Sequence, residues 1–122
     1  MYEADVRWGP PYYTLRLDGR PLAGRVFGRP LRWSADSRHL AAQEWLTTDE
    51  ARGPITRAVV FDIAEHRWAA LPATHQGFAE RFEFAGDHFT YREHYYAGQP
   101  PVPERADEIT VGISTLATWS DW

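Results

Sequence analysis

The chain lacks cysteine and lysine, and it contains no long hydrophobic run. Without cysteine it cannot form disulfides, carry out thiol chemistry or bind a metal through thiolates. Residues 1–5 include neither a basic group nor an apolar stretch, and no segment approaches the roughly 18 apolar residues of a membrane span. We therefore expect a cytoplasmic protein without membrane contacts, or a periplasmic one if a leader has been removed.

The composition favours one β-rich domain. A chain of 122 residues with 43% hydrophobic content can bury one core and is too short for two independent domains. Aromatic residues make up 15% of the chain, which favours strands over helices. The net charge of −4 argues against nucleic acid as a partner and favours a protein with a basic surface. All 13 cations are arginine, which is typical of a GC-rich bacterial genome.

The clearest internal pattern is a degenerate repeat with a spacing of about fifty residues. An apolar strand, a turn and a strand that begins with histidine occur at 31–44 and again at 82–93. The pattern predicts one domain, 1–122, built from two related β units. Its parts are an N-terminal hairpin at 1–29, the first repeat at 30–77, the second repeat at 78–113, and a strand or tail at 114–122.

Local signals predict the strands at the start of the chain. Residues 12–17 alternate and precede Asp18-Gly19, which predicts a tight hairpin with 22–27 as the return strand and 28–30 as its close. Residues 56–63 are apolar on both faces, which is typical of a central strand.

One segment, 37–47, has apolar spacings that suit a helix as well as a strand. Its counterpart in the second repeat, 88–96, alternates strictly and is rich in aromatic residues. The repeat therefore predicts strands at both places. The proline-rich residues that follow the second copy predict an extended loop at 97–106.

Residues 33–41 read Trp-Ser-Ala-Asp-Ser-Arg-His-Leu-Ala, and an apolar strand ending at Asp62-Ile63 and a strand with Trp68 follow them. This pattern resembles one blade of a WD40- or TolB-type β-propeller, although Ala35 and Ser37 replace the usual proline and glycine of the turn. A closed propeller needs at least about four blades, and the chain has room for about two. We therefore expect an all-β fold, an antiparallel meander of two blade-like repeats plus the N-terminal hairpin. It would form a two-sheet sandwich or a strongly curled sheet.

The sequence offers weak candidates for chemistry. His88 and His94 are six residues apart, which is about 20 Å along a strand, so they cannot share one metal ion. We expect no metal and no cofactor. Glu44 and Glu93 hold equivalent places in the two repeats, each in phase with apolar residues. If they faced each other, they could form an acid and base pair, and Tyr91 would belong to the same candidate ligand pocket. The plainer interpretation is a structural ion pair or a strand end in solvent.

The two loops that follow equivalent strands in the repeats are acidic. Asp49 and Glu50 lie in the first loop, and we place Asp107 and Glu108 in the second. Equivalent loops should project from the same end of the fold, where loops commonly carry binding. An aromatic side chain would supply the anchor of such a surface, and the candidates are Tyr95, Tyr96 or Trp119.

These features predict a non-catalytic protein-binding domain. Its most concrete biological form is a bacterial immunity or inhibitor protein that occludes a toxin or enzyme with its acidic and aromatic loops. One alternative is a ligand-binding or hydrolytic β domain with an aromatic pocket around Glu93. Another is a structural subunit that assembles through blade-like edges. The sequence leaves the oligomeric state and the identity of the partner open.

Overall fold

The computed structural model describes residues 2–6, 12–48, 53–95 and 105–122, which form strands and no α-helix. A short 3₁₀ helix covers Ile113–Thr115. The strands are β1 (Tyr2–Val6), β2 (Tyr12–Leu17), β3 (Arg20–Pro21), β4 (Val26–Trp33), β5 (His39–Trp45), β6 (Ile55–Asp62), β7 (Arg67–Ala70), β8 (Thr74–His75), β9 (Gly77–Ala85), β10 (His88–Tyr95), β11 (Arg105–Gly112) and β12 (Ser120–Asp121). The predicted all-β class is confirmed.

Two antiparallel sheets make up the fold. Sheet A has the strand order β1-β2-β4-β5-β6-β7-β12, with β3 beside β2 and β8 beside β6, and it curls strongly into a half-barrel. Sheet B has the order β11-β10-β9. The first repeat forms β4 to β7 of sheet A, and the second forms sheet B. Each copy is an antiparallel meander, and the expected sandwich and the expected curl are both present.

Strands β5 and β6 lie at the centre of the fold and are buried on both faces. On one face, sheet A curls around an inner core whose buried members are Leu15, Leu17, Leu22, Phe27, Leu40, Ala42, Val59 and Phe61. On the other face, sheet B packs over an outer core whose buried members are Ala41, Ala58, Val60, Leu71, Ala79, Phe82, Phe89, Tyr91 and Ile113. This double burial explains why β6 is apolar at odd and even positions alike.

The N-terminal hairpin turns where the sequence predicts. Asp18 and Gly19 have φ values of 49° and 77°, the left-handed pair that a tight hairpin of this kind requires. Two strands take the place of the predicted single return strand at 22–27. The short strand β3 pairs with the end of β2, and β4 pairs with the start of β2 through Phe27 and Gly28.

The prediction that residues 28–30 close the hairpin is wrong, since β4 runs through them with a bulge. Gly28 serves close packing there, because an added Cβ would collide with the side chain of Gln43.

The second repeat also departs from one predicted boundary. Strand β11 begins at Arg105, so the segment from Arg105 to Glu108 belongs to a strand and not to the expected loop. Residues 96–104, which hold the rest of that loop, lie outside the described residues. The strand predicted over 37–47 is confirmed as β5. The C-terminal segment adds β12, which pairs with β7 at the edge of sheet A.

Candidate functional site

Glu44 is a structural ion-pair partner on the inner face of sheet A. Its carboxylate is 4% exposed and accepts hydrogen bonds from Arg25 Nε at 2.6 Å and Nη2 at 3.0 Å, and from Arg57 Nε at 2.7 Å. The Arg25 guanidinium also lies 4.0 Å from the ring centroid of Trp68. Two arginines thus satisfy the hydrogen-bonding needs of one buried carboxylate. Glu44 therefore belongs to a structural ion pair, which is the plainer interpretation of the sequence.

Glu93 lies on the other side of the central strands. It follows Phe89 and Tyr91 along the core-facing side of β10, and its carboxylate accepts a 2.5 Å hydrogen bond from the hydroxyl of Thr74.

Glu44 belongs to the face that carries Leu40 and Ala42 of the inner core. The β5–β6 layer therefore separates the two carboxylates, and the hypothesis that they form an acid and base pair is wrong.

Tyr91, the third member of the predicted pocket, is a core residue. Its side chain is 1% exposed, and its ring packs on Phe89 with the centroids 5.7 Å apart. Burial raises the pKa of the Tyr91 hydroxyl to about 12. Among the described residues no group forms a hydrogen bond with that hydroxyl. A ligand at this position would have to displace the outer core.

The described residues that flank the two acidic loops meet at one end of the fold. The N–H of Gly77 donates to the carbonyl of Pro54, which precedes β6, and Gly77 pairs with Tyr95 at the end of β10. We call this the loop end. Asp49, Glu50 and Tyr96, which were predicted to contact the partner, lie outside the described residues.

At the loop end, Tyr95, Arg105 and Asp107 form a surface cluster. The Arg105 guanidinium lies 4.3 Å from the ring centroid of Tyr95, and its Nε lies 3.5 Å from a carboxylate oxygen of Asp107. Asp107 faces Glu93 directly across the β10–β11 ladder, whereas Glu108 faces Arg92. The side chain of Asp107 is 51% exposed, and Glu108 is also exposed. These acidic groups are therefore fixed on a strand and open to solvent.

Trp119 does not belong to this cluster. It packs against the outer core, its indole N–H donates to the carbonyl of Leu116 at 2.8 Å, and Arg67 lies 4.4 Å from the ring centroid. Arg67 pairs with Asp62 at the far end of β6, one strand length of about 20 Å from the loop end. Trp119 therefore lies at the opposite end of the fold from Tyr95, and its role as an anchor stays a prediction.

The end opposite the loop end holds a cleft that the sequence did not predict. It has a volume of about 400 Å³ and is lined by Arg38, His39, Asp62, Arg67, Asp87, Ile113, Ser114, Leu116 and Trp119. We call it the turn-end cleft, because the β4–β5, β6–β7 and β9–β10 turns meet there.

Asp62 organises the turn-end cleft. It is fully buried and accepts hydrogen bonds from Arg38 Nε at 3.2 Å and Nη2 at 3.1 Å, while Arg67 Nε lies 3.4 Å from its second oxygen. Burial by itself would raise the pKa of Asp62, but the bonds from Arg38 and from the backbone N–H of Glu65 outweigh it and lower the pKa. Asp62 therefore stays charged and fixes two turns.

The other titratable groups of the cleft are also tied to the fold. Burial lowers the pKa of His39, whose Nε2 lies 3.9 Å from Asp62 and whose ring stacks on Phe84. The hydroxyl and the backbone N–H of Ser114 donate to Asp87 and lower the pKa of its carboxyl. The carboxylates of Asp62 and Asp87 already accept hydrogen bonds from other residues of the chain. We therefore interpret the polar groups of the cleft as a structural network that holds the turns together.

One sequence signal for this network was available. Asp62 directly follows the apolar run 58–61 at the end of β6, and a carboxylate buried in that place needs cationic partners. Among the described residues there is no group of three or more side chains able to hold a metal ion, and no helix long and apolar enough to cross a membrane.

No family model matches the chain, and no curated protein or solved structure is significantly similar to it. The antiparallel meanders and the curled sheet are compatible with blade-like units. The relation to propeller families stays a prediction.

Proposed function

We propose that the protein is a non-catalytic protein-binding domain whose partner presents a basic surface. The observation that carries this proposal is the pair formed by Asp107 and Glu93, which face each other across the β10–β11 ladder. Like charges placed directly opposite each other in a sheet are destabilising, and Arg105 offsets Asp107 only from an exposed position. A cation supplied by a partner would relieve this repulsion on binding.

The loop end has further properties of a binding surface. Glu108, the next residue, adds an exposed carboxylate on the opposite face of sheet B, and Tyr95 offers an aromatic ring on the face of Asp107. The predicted members Asp49, Glu50 and Tyr96 adjoin this surface in sequence. Carboxylates of this kind accelerate the encounter with a basic partner, and a tyrosine can anchor the complex once it has formed.

The biological form that we propose is an immunity or inhibitor protein that occludes a bacterial toxin or enzyme. The support is the combination of small size, net charge of −4 and absence of cysteine, together with an acidic surface on a rigid scaffold. In this proposal the loop end covers the active site of the partner, and inhibition is steric. No chemical step by this chain is required.

The test is to isolate the partner by affinity purification from the source cell and to measure its association rate with the purified protein. The variant Asp107→Ala/Glu108→Ala removes two charges from the loop end. The matched control Glu65→Ala/Asp121→Ala removes two exposed charges from the opposite end. At low salt we expect the first variant to associate about tenfold or more slowly and the control to behave like the wild type. Equal rates for both variants would rule out the acidic loop end as the binding surface.

A further inference from the structure

Strand β11 is an edge of sheet B. The sheet has the order β11-β10-β9, so β10 covers one side of β11, and no strand among the described residues pairs with its other side. An exposed edge carries a row of backbone donors and acceptors that can receive a further strand. The side chains of β11 are exposed from Arg105 to Glu108.

The backbone register identifies which groups point outward. The N–H of Ile113 donates to the carbonyl of Asp87 at 2.7 Å, directly beyond the end of the β10–β11 ladder. Hydrogen-bonded and non-hydrogen-bonded pairs alternate in an antiparallel ladder, and this one has no bulge. Asp107, Ile109 and Val111 therefore direct their backbone groups toward β10. The outward-facing residues are Ala106, Glu108 and Thr110.

The side chains of β11 indicate which kind of strand could pair with its free edge. Asp107 and Glu108 point to opposite faces of sheet B, so a neighbouring strand would meet a carboxylate on either face. Ile109 and Val111 are half-buried against the outer core, and apolar side chains of an added strand would extend that core beside them. The matching segment is extended, basic and alternately apolar.

A second copy of the chain is a poor occupant of this edge. If β11 paired with itself about a twofold axis at its middle, Asp107 and Glu108 from both copies would gather around that axis. Four carboxylates would then lie within about 5 Å of the twofold axis, measured along the strand direction, and would repel one another. Acidic residues on an edge strand are a known protection against such pairing.

We infer that β11 captures a basic, extended segment of the partner protein as a fourth strand of sheet B. This inference rests on the proposed protein-binding function and specifies how the contact is made. Backbone hydrogen bonds from Glu108 and Thr110 supply part of the affinity. The carboxylates of Asp107 and Glu108 select a basic segment over an acidic one.

The probe for the test is a synthetic peptide of the length of β11, blocked at both ends, in which valine alternates with arginine. A control peptide carries glutamate in place of arginine. We expect the arginine peptide to bind the wild-type protein at least about tenfold more tightly than the glutamate peptide, as measured by calorimetry. Absence of binding by the arginine peptide would overturn the inference.

The matched variants Thr110→Pro and Thr110→Val separate backbone capture from side-chain contact. Both remove the hydroxyl contact between Thr110 and Thr90, but only proline removes the outward N–H. We expect the proline variant to bind the arginine peptide about tenfold more weakly and the valine variant to bind it within about twofold of the wild type. Equal binding by both variants would contradict strand addition.

A measurement on the wild-type protein keeps the test decisive if the proline variant does not fold. The amides of Glu108 and Thr110 should exchange rapidly with solvent in the free protein and become protected when the arginine peptide is added. The amides of Asp107 and Ile109 should be protected in both states. Protection of all four amides in the free protein would show that the edge is already occupied and would overturn the inference.

The proposed function and this inference can fail separately. If Asp107→Ala/Glu108→Ala slows association with the purified partner while Thr110→Pro leaves its affinity unchanged, the loop end binds the partner without strand addition. If neither variant affects the complex, both proposals are wrong.

Discussion

The indole of Trp122 meets the ring of Phe61 edge-on, with the two ring centroids 5.8 Å apart. Phe61 belongs to the inner core, so the C-terminal segment closes that core at the edge of sheet A. Trp119, three residues earlier, packs on the outer core instead. Between them, β12 pairs with β7. The two tryptophans therefore contact opposite faces of sheet A.

Replacing Trp122 should be strongly destabilising because its ring fills the open side of the inner core. We expect Trp122→Ala to lower the free energy of unfolding by about 2–4 kcal/mol, since the residue is only partly buried. Urea denaturation monitored by circular dichroism measures the change. Asp121→Ala, an exposed neighbour in β12, should stay within about 0.5 kcal/mol of the wild type. A loss of similar size in both variants would mean that the Trp122 ring contributes no more to stability than an exposed side chain of β12.

Replacing Glu44 should leave two arginines without their shared carboxylate. Arg25 and Arg57 have side chains that are 17% and 26% exposed, so water compensates them in part. We therefore expect Glu44→Gln to lower the free energy of unfolding by about 2–3 kcal/mol, at or below the low end for a fully buried pair. Glu83→Gln makes the same chemical change at an exposed site and should be nearly neutral. An equal effect at both sites would show that the Glu44 network contributes little.

Replacing Tyr91 with phenylalanine should not weaken the fold. The hydroxyl is buried and has no hydrogen-bond partner among the described residues, so its removal relieves a desolvation penalty. We expect Tyr91→Phe to be neutral or to raise the free energy of unfolding by up to about 1 kcal/mol. Denaturant titration again provides the measurement. A clear loss of stability would show that the hydroxyl is satisfied within the folded protein.

The lowered pKa of His39 predicts a specific dependence of stability on pH. Burial keeps His39 neutral in the folded protein below pH 6.5, where the unfolded chain binds a proton. The unfolded state then carries more protons, so the stability contribution of this group is present above pH 6.5 and decreases as the pH falls toward the folded pKa. His39→Gln should therefore show a shallower loss of stability between about pH 7 and 5.

The control for this experiment is His75→Gln, because His75 is exposed. Its pH profile should follow that of the wild type. Denaturation series at several pH values give the profiles of all three proteins. If the His39 variant and the wild type lose stability in parallel, another group determines the pH dependence.

Local sequence patterns predicted the parts of the fold that depend on neighbouring residues. The hairpin turn at Asp18-Gly19 was predictable because few residue pairs adopt two left-handed conformations in succession. Comparison of the two repeats identified β5 correctly as a strand where its own spacing also suited a helix. The double apolar pattern of β6 predicted its central position.

Features that depend on distant contacts were not predictable in this way. Gly28 and Pro30 look like a turn, yet both lie within β4, where Gly28 leaves room for the side chain of Gln43 from β5. The start of β11 was missed because Asp107 and Glu108 are exposed on an edge strand, where no apolar alternation marks the pairing. The separation of Glu44 from Glu93 follows from the stacking of the sheets, which two equivalent repeat positions do not specify.

Ala41 and Ala42 are consecutive residues of β5, both 0% exposed, and their methyl groups point into different cores. Small side chains at adjacent positions of a strand that is covered on both faces set the spacing of the layers on each side. A larger side chain at Ala41 would push sheet B away, and one at Ala42 would open the curl of sheet A. Neither face of β5 offers solvent into which such a side chain could be displaced. This pair of alanines therefore limits how closely the layers on the two sides of β5 can approach it.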